Sequence, residues 1–335
     1  MIDSPTAPID RQKVVQRHNV VMRVLDPRSP LTVGNGEFAF GVDPTGLQSF
    51  PEPYVTAMPL CTMSNWGWHS KPLPAGLDPA TIRYTNFDTY GRPVGHVTSS
   101  EGQKPLFDWL RENPHRFHLG RIGIEITLNN GQLWTIDDLR DVKQTLDVWT
   151  GIITSRFAVE GTTVEVTTCC AGERDALGIQ VRSDLLKQGR LKIVVRFPYG
   201  SQDMSAAEWG KDDLHSTTLS HIDNGVVLIR SMDDISYGVI LQADQPIDCI
   251  ARTQHELAIN PRAADHLAFT ADFAIKPNPT PILFEQAITA SKTFWHDFWT
   301  SGGAIDFEGS TDPRAHELER RVVLSQYVMR INSAG

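Results

Sequence analysis

Between about Leu31 and Phe273, apolar residues alternate with polar ones or gather in short runs, each broken by Gly, Asn, Asp or Pro. That is the pattern of many short strands. Ile122–Leu128 (IGIEITL) is followed by Asn129-Asn130-Gly131 and then Gln132–Ile136, which predicts a hairpin, because Asn-Gly tolerates the positive φ of a tight turn. Gly151–Val159 and Thr162–Thr168, joined by Glu160-Gly161, predict a second. Ala176–Arg182, Arg190–Phe197, Val226–Ser231, Tyr237–Ala243 and His266–Ile275 continue the series. Several intervals are too short for crossover helices, so the pairing should be mainly antiparallel. So many strands require two packed sheets.

Three stretches depart from this pattern. Phe50–Gln103 is long, rich in Pro and Gly, and carries Tyr54, Trp66, Trp68, Tyr84, Phe87 and Tyr90. A segment of that length inside a compact domain is usually functional, and its aromatics argue against disorder. Gln202–His215 is a shorter polar insertion holding Trp209. After Lys276, Pro277, Pro279 and Pro281 predict a stiff connector. Phe284–Thr300 then places Phe284, Ile288, Ser291, Trp295 and Trp299 at helical spacing. A second helix is expected from Asp312 as N-cap and Pro313 at the first position, running from Arg314 to about Ile331. Its stripe of Leu318, Val322, Ser325 and Met329 must bury itself against something, either the sandwich or a helical domain beyond this chain.

Composition narrows the partners. The 335 residues are 40% hydrophobic and 21% charged, with a formal net charge of −9. An acidic chain is a poor match for nucleic acid or an anionic membrane, both of which need a basic face, whereas a neutral ligand such as a sugar remains compatible. No run approaches the roughly 18 apolar residues of a membrane helix. Met1–Asn19 is polar and shows no apolar signal-peptide core, so it leaves the compartment open. Cys61, Cys169, Cys170 and Cys249 lack zinc-site spacing and read as buried apolar thiols. Cys169 and Cys170, adjacent in a strand, should face opposite sides. No cofactor is implied.

Candidate chemistry centres on Asn65–His69 (NWGWH). Indole rings stack on the C–H faces of sugars, and indole N–H and imidazole bond hydroxyls. Trp66, Trp68 and His69 are therefore the candidate substrate-binding residues, the competing reading being that they pin the loop to the sandwich. Glu37, in Gly34-Asn35-Gly36-Glu37, is better explained as following a hairpin turn than as catalytic. A glycosidase needs two carboxyls about 5–9 Å apart, and nothing in the sequence joins Glu37 to Glu52. His115 and His118 have i,i+3 spacing but no third metal ligand nearby, and read as a packed or surface pair. Asp137-Asp138, Asp212-Asp213 and Asp233-Asp234 read as solvated turns.

A strand-rich front half, a linker with Phe294-Trp295 and Phe298-Trp299, and a helix opening on Glu319-Arg320-Arg321 together resemble the six-hairpin glycosidases. Arg17–Asn19, Leu31–Phe40 (LTVGNGEFAF), Thr45–Phe50 (TGLQSF), NWGWH and Asp147–Phe157 (DVWTGIITSRF) look like one bacterial branch of them, related to the maltose and trehalose phosphorylases and the fucosidase-like enzymes. The resemblance implies a mainly β fold. It would be a large antiparallel two-sheet super-sandwich of the galactose-mutarotase type, followed by linker helices. It implies a tail at 1–16, the sandwich at 17–276, a linker with the aromatic helix at 277–313, and the first helix of an (α/α)6 barrel at 314–335.

The implied function is that of a non-catalytic sandwich of a glycoside hydrolase or phosphorylase. Its partners would be a carbohydrate ligand and a C-terminal helical barrel carrying the catalytic groups, so no catalytic residue is expected here. Two alternatives stand beside it. One is an autonomous carbohydrate-binding module. The other is an aldose epimerase, using a histidine such as His215 or His221 for proton transfer.

Overall fold

A computed structural model describes residues 8–262, 264–278 and 280–333. Pro279 of the expected connector, residues 1–7 of the expected tail and residues 334–335 lie outside the described residues.

Among the described residues, nine strands form one antiparallel sheet. Its order is Val20–Met22, Arg140–Asp147, Ile152–Val159, Thr162–Cys170, Ala176–Arg182, His266–Ala274, Ile235–Ala243, Gly225–Met232 and His215–Ile222. A four-stranded antiparallel sheet packs on it, in the order Ile247–Ala251, Glu256–Pro261, Leu191–Arg196, Arg121–Ile126. Between the layers lie Ile122, Ile124, Ile193, Val195 and Ile259 from the small sheet, and Phe157, Val164, Val166, Ile179, Val181 and Phe269 from the large one. Each set recurs at every second residue, so the period of the sequence became the two faces of each sheet. The expected mainly β, two-sheet sandwich with C-terminal helices is therefore what forms.

The second predicted hairpin forms with Val159 opposite Thr162, its turn made by Glu160 (φ 48°) and Gly161 (φ 79°). The first forms only in part. Leu128 N–H bonds Gln132 O, but the return arm makes a single bridge, Thr127 to Leu133, before a 3₁₀ turn at Ile136–Asp138. Thr135 and Asp138 cap that turn reciprocally, and this local bonding competes with strand pairing. The long Phe50–Gln103 stretch holds the strand Thr62–Ser64, the short strand Trp68–His69, which pairs with His115–Arg116 beyond it, and a projecting hairpin, Thr85–Thr89 with Arg92–His96. Tyr84, Phe87 and Tyr90 lie exposed on or beside that hairpin.

Five α-helices accompany the sheets among the described residues. They are α1 (Arg11–Gln16), α2 (Lys104–Glu112), α3 (Asp184–Lys187), α4 (Phe284–Thr300) and α5 (Ala315–Asn332). Residues 11–16, expected as tail, are a helix because Val14 and Val15 are buried in the main core and Arg11 donates to the Trp299, Ser301 and Gly302 carbonyls. Helix α4 lies on the outer face of the large sheet and buries Phe284, Ile288, Ser291, Trp295 and Trp299, the positions its periodicity predicts. Cys169 faces this helix while Cys170 enters the inter-sheet core, the opposite orientations expected of strand neighbours.

Helix α5 is rotated from expectation. It buries Glu319, Val323, Tyr327 and Ile331, while Leu318 and Met329 of the predicted stripe are 52% and 65% exposed. Tyr327 stacks on Trp295 with ring centres 4.5 Å apart and donates to Thr32 O, docking the helix on strands Leu31–Gly34 and Phe38–Val42. Hydrophobic periodicity counts Glu319 as a surface residue, and so it turns the predicted face away from the true one.

Candidate functional site

The NWGWH run crosses from strand Thr62–Ser64 into the two-residue strand Trp68–His69, so its side chains alternate between core and solvent. Trp66 is partly buried: its indole N–H donates to Asp175 at 2.8 Å, and its ring packs against Tyr237. Ser64 Oγ donates to the same Asp175 oxygen at 2.6 Å, which ties the run to the loop at 171–175. Trp68 is 47% exposed, with the Arg116 guanidinium 4.2 Å over its ring. Arg116 also donates to Ser64 O, so it is held flat on the indole.

His69 is only 1% exposed. His115 Nδ1 donates to Glu112 O, which leaves its Nε2 as the acceptor of the His69 Nδ1–H at 3.0 Å. His69 Nε2 meets Asp233 Oδ2 at 2.7 Å, and Tyr199 O–H donates to that same oxygen at 2.6 Å. The whole hydrogen-bonding capacity of His69 is thus spent inside the protein. Asp233, expected as a solvated turn residue, sits at a turn with φ 50° but points its carboxylate into this network. Of the three candidates, then, Trp68 keeps a half-exposed ring, while Trp66 and His69 are tied into the protein.

Arg116 also lines a cleft of about 180 Å³, with Glu37, Asn65 and the last turn of α5 at Ile331 and Asn332. Its wall is built by turn chemistry. Asn35 Oδ1 accepts from Glu37 N–H and Phe38 N–H, and its amide donates to Arg174 O. Gly36 has φ 98° and lies against the backbone of Arg330 and Ser333. Glu37 and Glu52 do not share a cavity: Glu52 lines clefts beside Arg121 and Trp134 instead. On the other side of Arg330 a wider cleft of about 750 Å³ is lined by Glu173, Asp297, Phe294 and Phe298, with the Arg330 guanidinium 4.3 Å over Phe294.

Other buried histidines lie elsewhere. Asp212, His215 and His255 bring three ligand-type atoms within 4.8 Å of one another. Arg230, wholly buried, donates to Nδ1 of both rings, at 2.6 Å for His215 and 3.1 Å for His255. That places the proton of each neutral ring on Nε2, where His255 donates to Asp212 O. A cation here would have to displace both protons beside a guanidinium. Burial and Arg230 push the His215 pKa down to about 3, which removes the basicity that an epimerase base needs. His221 is exposed on the edge strand. His115 and His118 are both packed, but they go to different places: His115 to His69, His118 to the neighbourhood of Trp209.

Arg116, Tyr199 and Arg230 were not singled out by sequence reasoning, and in sequence Asp233 reads only as part of a solvated turn. The one signal for Arg116 was alternation in His115–Phe117, which turns the arginine outward when its neighbours are inward. No pattern pairs Asp233 with a residue 164 positions away.

Among the described residues no helix is long and apolar enough to cross a membrane. No protein-family model matches the sequence, and no curated protein matches it. Among solved structures the chain is similar to one described as "Putative kojibiose phosphorylase from human microbiome", with a TM-score of 0.57 at 10% identity. The match covers 93% of this chain and 41% of that one. At that identity the two share a fold, and this chain spans well under half the length of the protein it resembles.

Proposed function

We propose that this chain is the β-sandwich part of a carbohydrate-active enzyme of the glycosidase or phosphorylase type, and that bond cleavage takes place on residues outside it. The observation that carries the reading is the extent of the likeness: nearly all of this chain matches, over less than half of a protein described as a phosphorylase. The site is in keeping with it. The cleft at Arg116 offers one carboxylate among its lining residues, Glu37, with Asn65 and Arg116, a set suited to bonding hydroxyls rather than to paired acid and base catalysis. Trp68 supplies an aromatic edge and Arg116 the donor beside it, while Trp66 and His69 support them.

The test is the purified 335-residue chain assayed against a panel of disaccharides, with and without inorganic phosphate. No turnover is expected. Turnover that disappears in Glu37→Gln would overturn the proposal.

A second reading, an autonomous sugar-binding module, is favoured by the half-exposed Trp68 stacked under Arg116, which lines the cleft. Calorimetry against neutral oligosaccharides separates the two. Saturable binding lost in Trp68→Ala supports the module, and flat traces remove it.

A further inference from the structure

The polar insertion carrying Trp209 closes a further cleft, of about 410 Å³, beside the start of the strand that begins at Arg121. His118 N–H bonds Ala206 O, and Cys61 Sγ lies 3.5 Å from Ser205 O, so the insertion is pinned at two points. Trp209 lays its ring against the Arg121 guanidinium, 4.2 Å away, and its edge against His118. Prolines 51 and 59, with Val55 and Leu60, supply apolar walls.

The cation of this cleft has no bonded counter-ion, and the Glu52 carboxylate acts on it only through space. Among the described residues Arg121 forms no hydrogen bond and no ion pair, and its Nε is buried without a partner. Its cross-strand neighbour is another arginine, Arg196, whose charge is taken up by Glu256 at 2.7 Å. Burial pushes the Cys61 thiol up to about 11, so it supplies no counter-charge. Burial also lowers Arg121 to about 10, which still leaves it cationic at neutral pH. The one carboxylate lining the cleft is Glu52, exposed and unbonded.

His118 is 2% exposed. Its Nδ1 accepts from Gly120 N–H at 3.1 Å, so its proton sits on Nε2, which makes no hydrogen bond of normal geometry beyond a weak interaction with the Leu60 carbonyl. A partly buried guanidinium with no bonded partner, and an N–H donor whose one acceptor is weak, are costly to keep in a folded chain.

We infer that the cleft between Arg121, His118, Glu52 and Trp209 is a binding site for the oxyanion of a small acidic ligand, a phosphate or a carboxylate. The guanidinium fork matches either group bidentately, and stacking on Trp209 fixes the plane of that fork. The remaining volume, walled by proline and aliphatic side chains, takes the body of the ligand. This assignment is independent of the carbohydrate reading.

The test is isothermal titration of the whole chain with inorganic phosphate and with glucuronate, using glucose as the neutral control. Saturable binding of either acidic probe, with glucose silent, is expected, and which probe binds identifies the anion. Arg121→Gln should weaken binding about tenfold or more. Glu52→Gln should strengthen it severalfold, because a like charge is removed from the site. Glu52 makes no side-chain bond among the described residues, so this second variant decides the matter even if Arg121→Gln fails to fold. Flat traces with both acidic probes, equal binding of glucose, or affinity unmoved in either variant would overturn the assignment.

Discussion

Arg17 and Glu319, 302 positions apart, form a two-pronged ion pair, with Nε and Nη2 each 2.7 Å from a carboxylate oxygen. The carboxylate is 2% exposed and also takes a hydrogen bond from Phe307 N–H and a contact from His18 Nε2, both at 2.6 Å. This one side chain clamps the start of the chain, the linker before α5 and α5 itself. Helix α5 thereby belongs to the packed body of the sandwich, with Tyr327 and Trp295 completing the seam.

Glu319→Gln should destabilise the chain by roughly 3 kcal/mol, because it removes the buried partner of Arg17, which keeps only Asp306 and the exposed Glu308. Burial alone would raise the Glu319 pKa. Arg17, the Phe307 N–H and His18 outweigh it and bring the carboxyl down to about 2. A depressed pKa means the stabilisation is complete above the usual carboxylate range near 4.5 and is lost as pH falls towards 2. Urea midpoints measured across that window should fall steeply in the parent and less in the variant.

Asp43 gives the opposite sign. It is fully buried and accepts from Thr45 N–H, Thr45 Oγ1–H and Phe50 N–H, yet burial outweighs these bonds and raises its pKa from 3.8 to about 6. A raised carboxyl pKa means this group's contribution is fully present below about 3.8 and is lost as pH rises through 6. The change amounts to about 3 kcal/mol. The Asp43→Asn variant should lack this component of the pH dependence, which parallel denaturation series at pH 4 to 7 would reveal.

Gly151→Ala should cost about 2–4 kcal/mol. Gly151 has φ 66°, and a β-carbon there would overlap the Trp295 indole nitrogen. Since Trp295 is also the stacking partner of Tyr327, loss of near-UV circular dichroism is expected alongside a lower urea midpoint. An unchanged midpoint would show that α4 is not seated at this point.

Trp68→Ala and His69→Ala, adjacent in sequence, should behave differently. Trp68 is half exposed, so its loss should cost less than about 1 kcal/mol. Removing His69 strips a partner from Asp233 and from His115 and should cost about 2–3 kcal/mol. Thermal melts of the two variants compare them directly. Equal losses would contradict the division between a ligand-facing and a supporting residue.

Much of the fold was legible because it rests on local periodicity. Thr162–Cys170 and Ala176–Arg182 alternate as strands must, Glu160-Gly161 is a turn that only certain residues make, and α4 repeats its aromatics at helical spacing. The site was legible only as a run of residue types. NWGWH announced aromatics in a long loop, but which ring faced outward depended on a two-residue strand paired with His115–Arg116. The strand Arg140–Asp147 was missed because its charged residues interrupt the apolar pattern, and Glu256–Pro261 because its apolar run is short and ends on Asn260 and Pro261.

By itself, then, the amino-acid order determined the β-rich class, the mainly antiparallel pairing and the existence of two terminal helices, since each follows from contacts between residues near in sequence. Only the tertiary structure decided that Glu319 is a core residue, that His69 is spent on Asp233, and that Arg121 has no carboxylate bonded to it. The physical reason is the same in all three. The cost or gain of a buried charge is set by the partner the fold brings beside it, and that partner can lie anywhere in the chain.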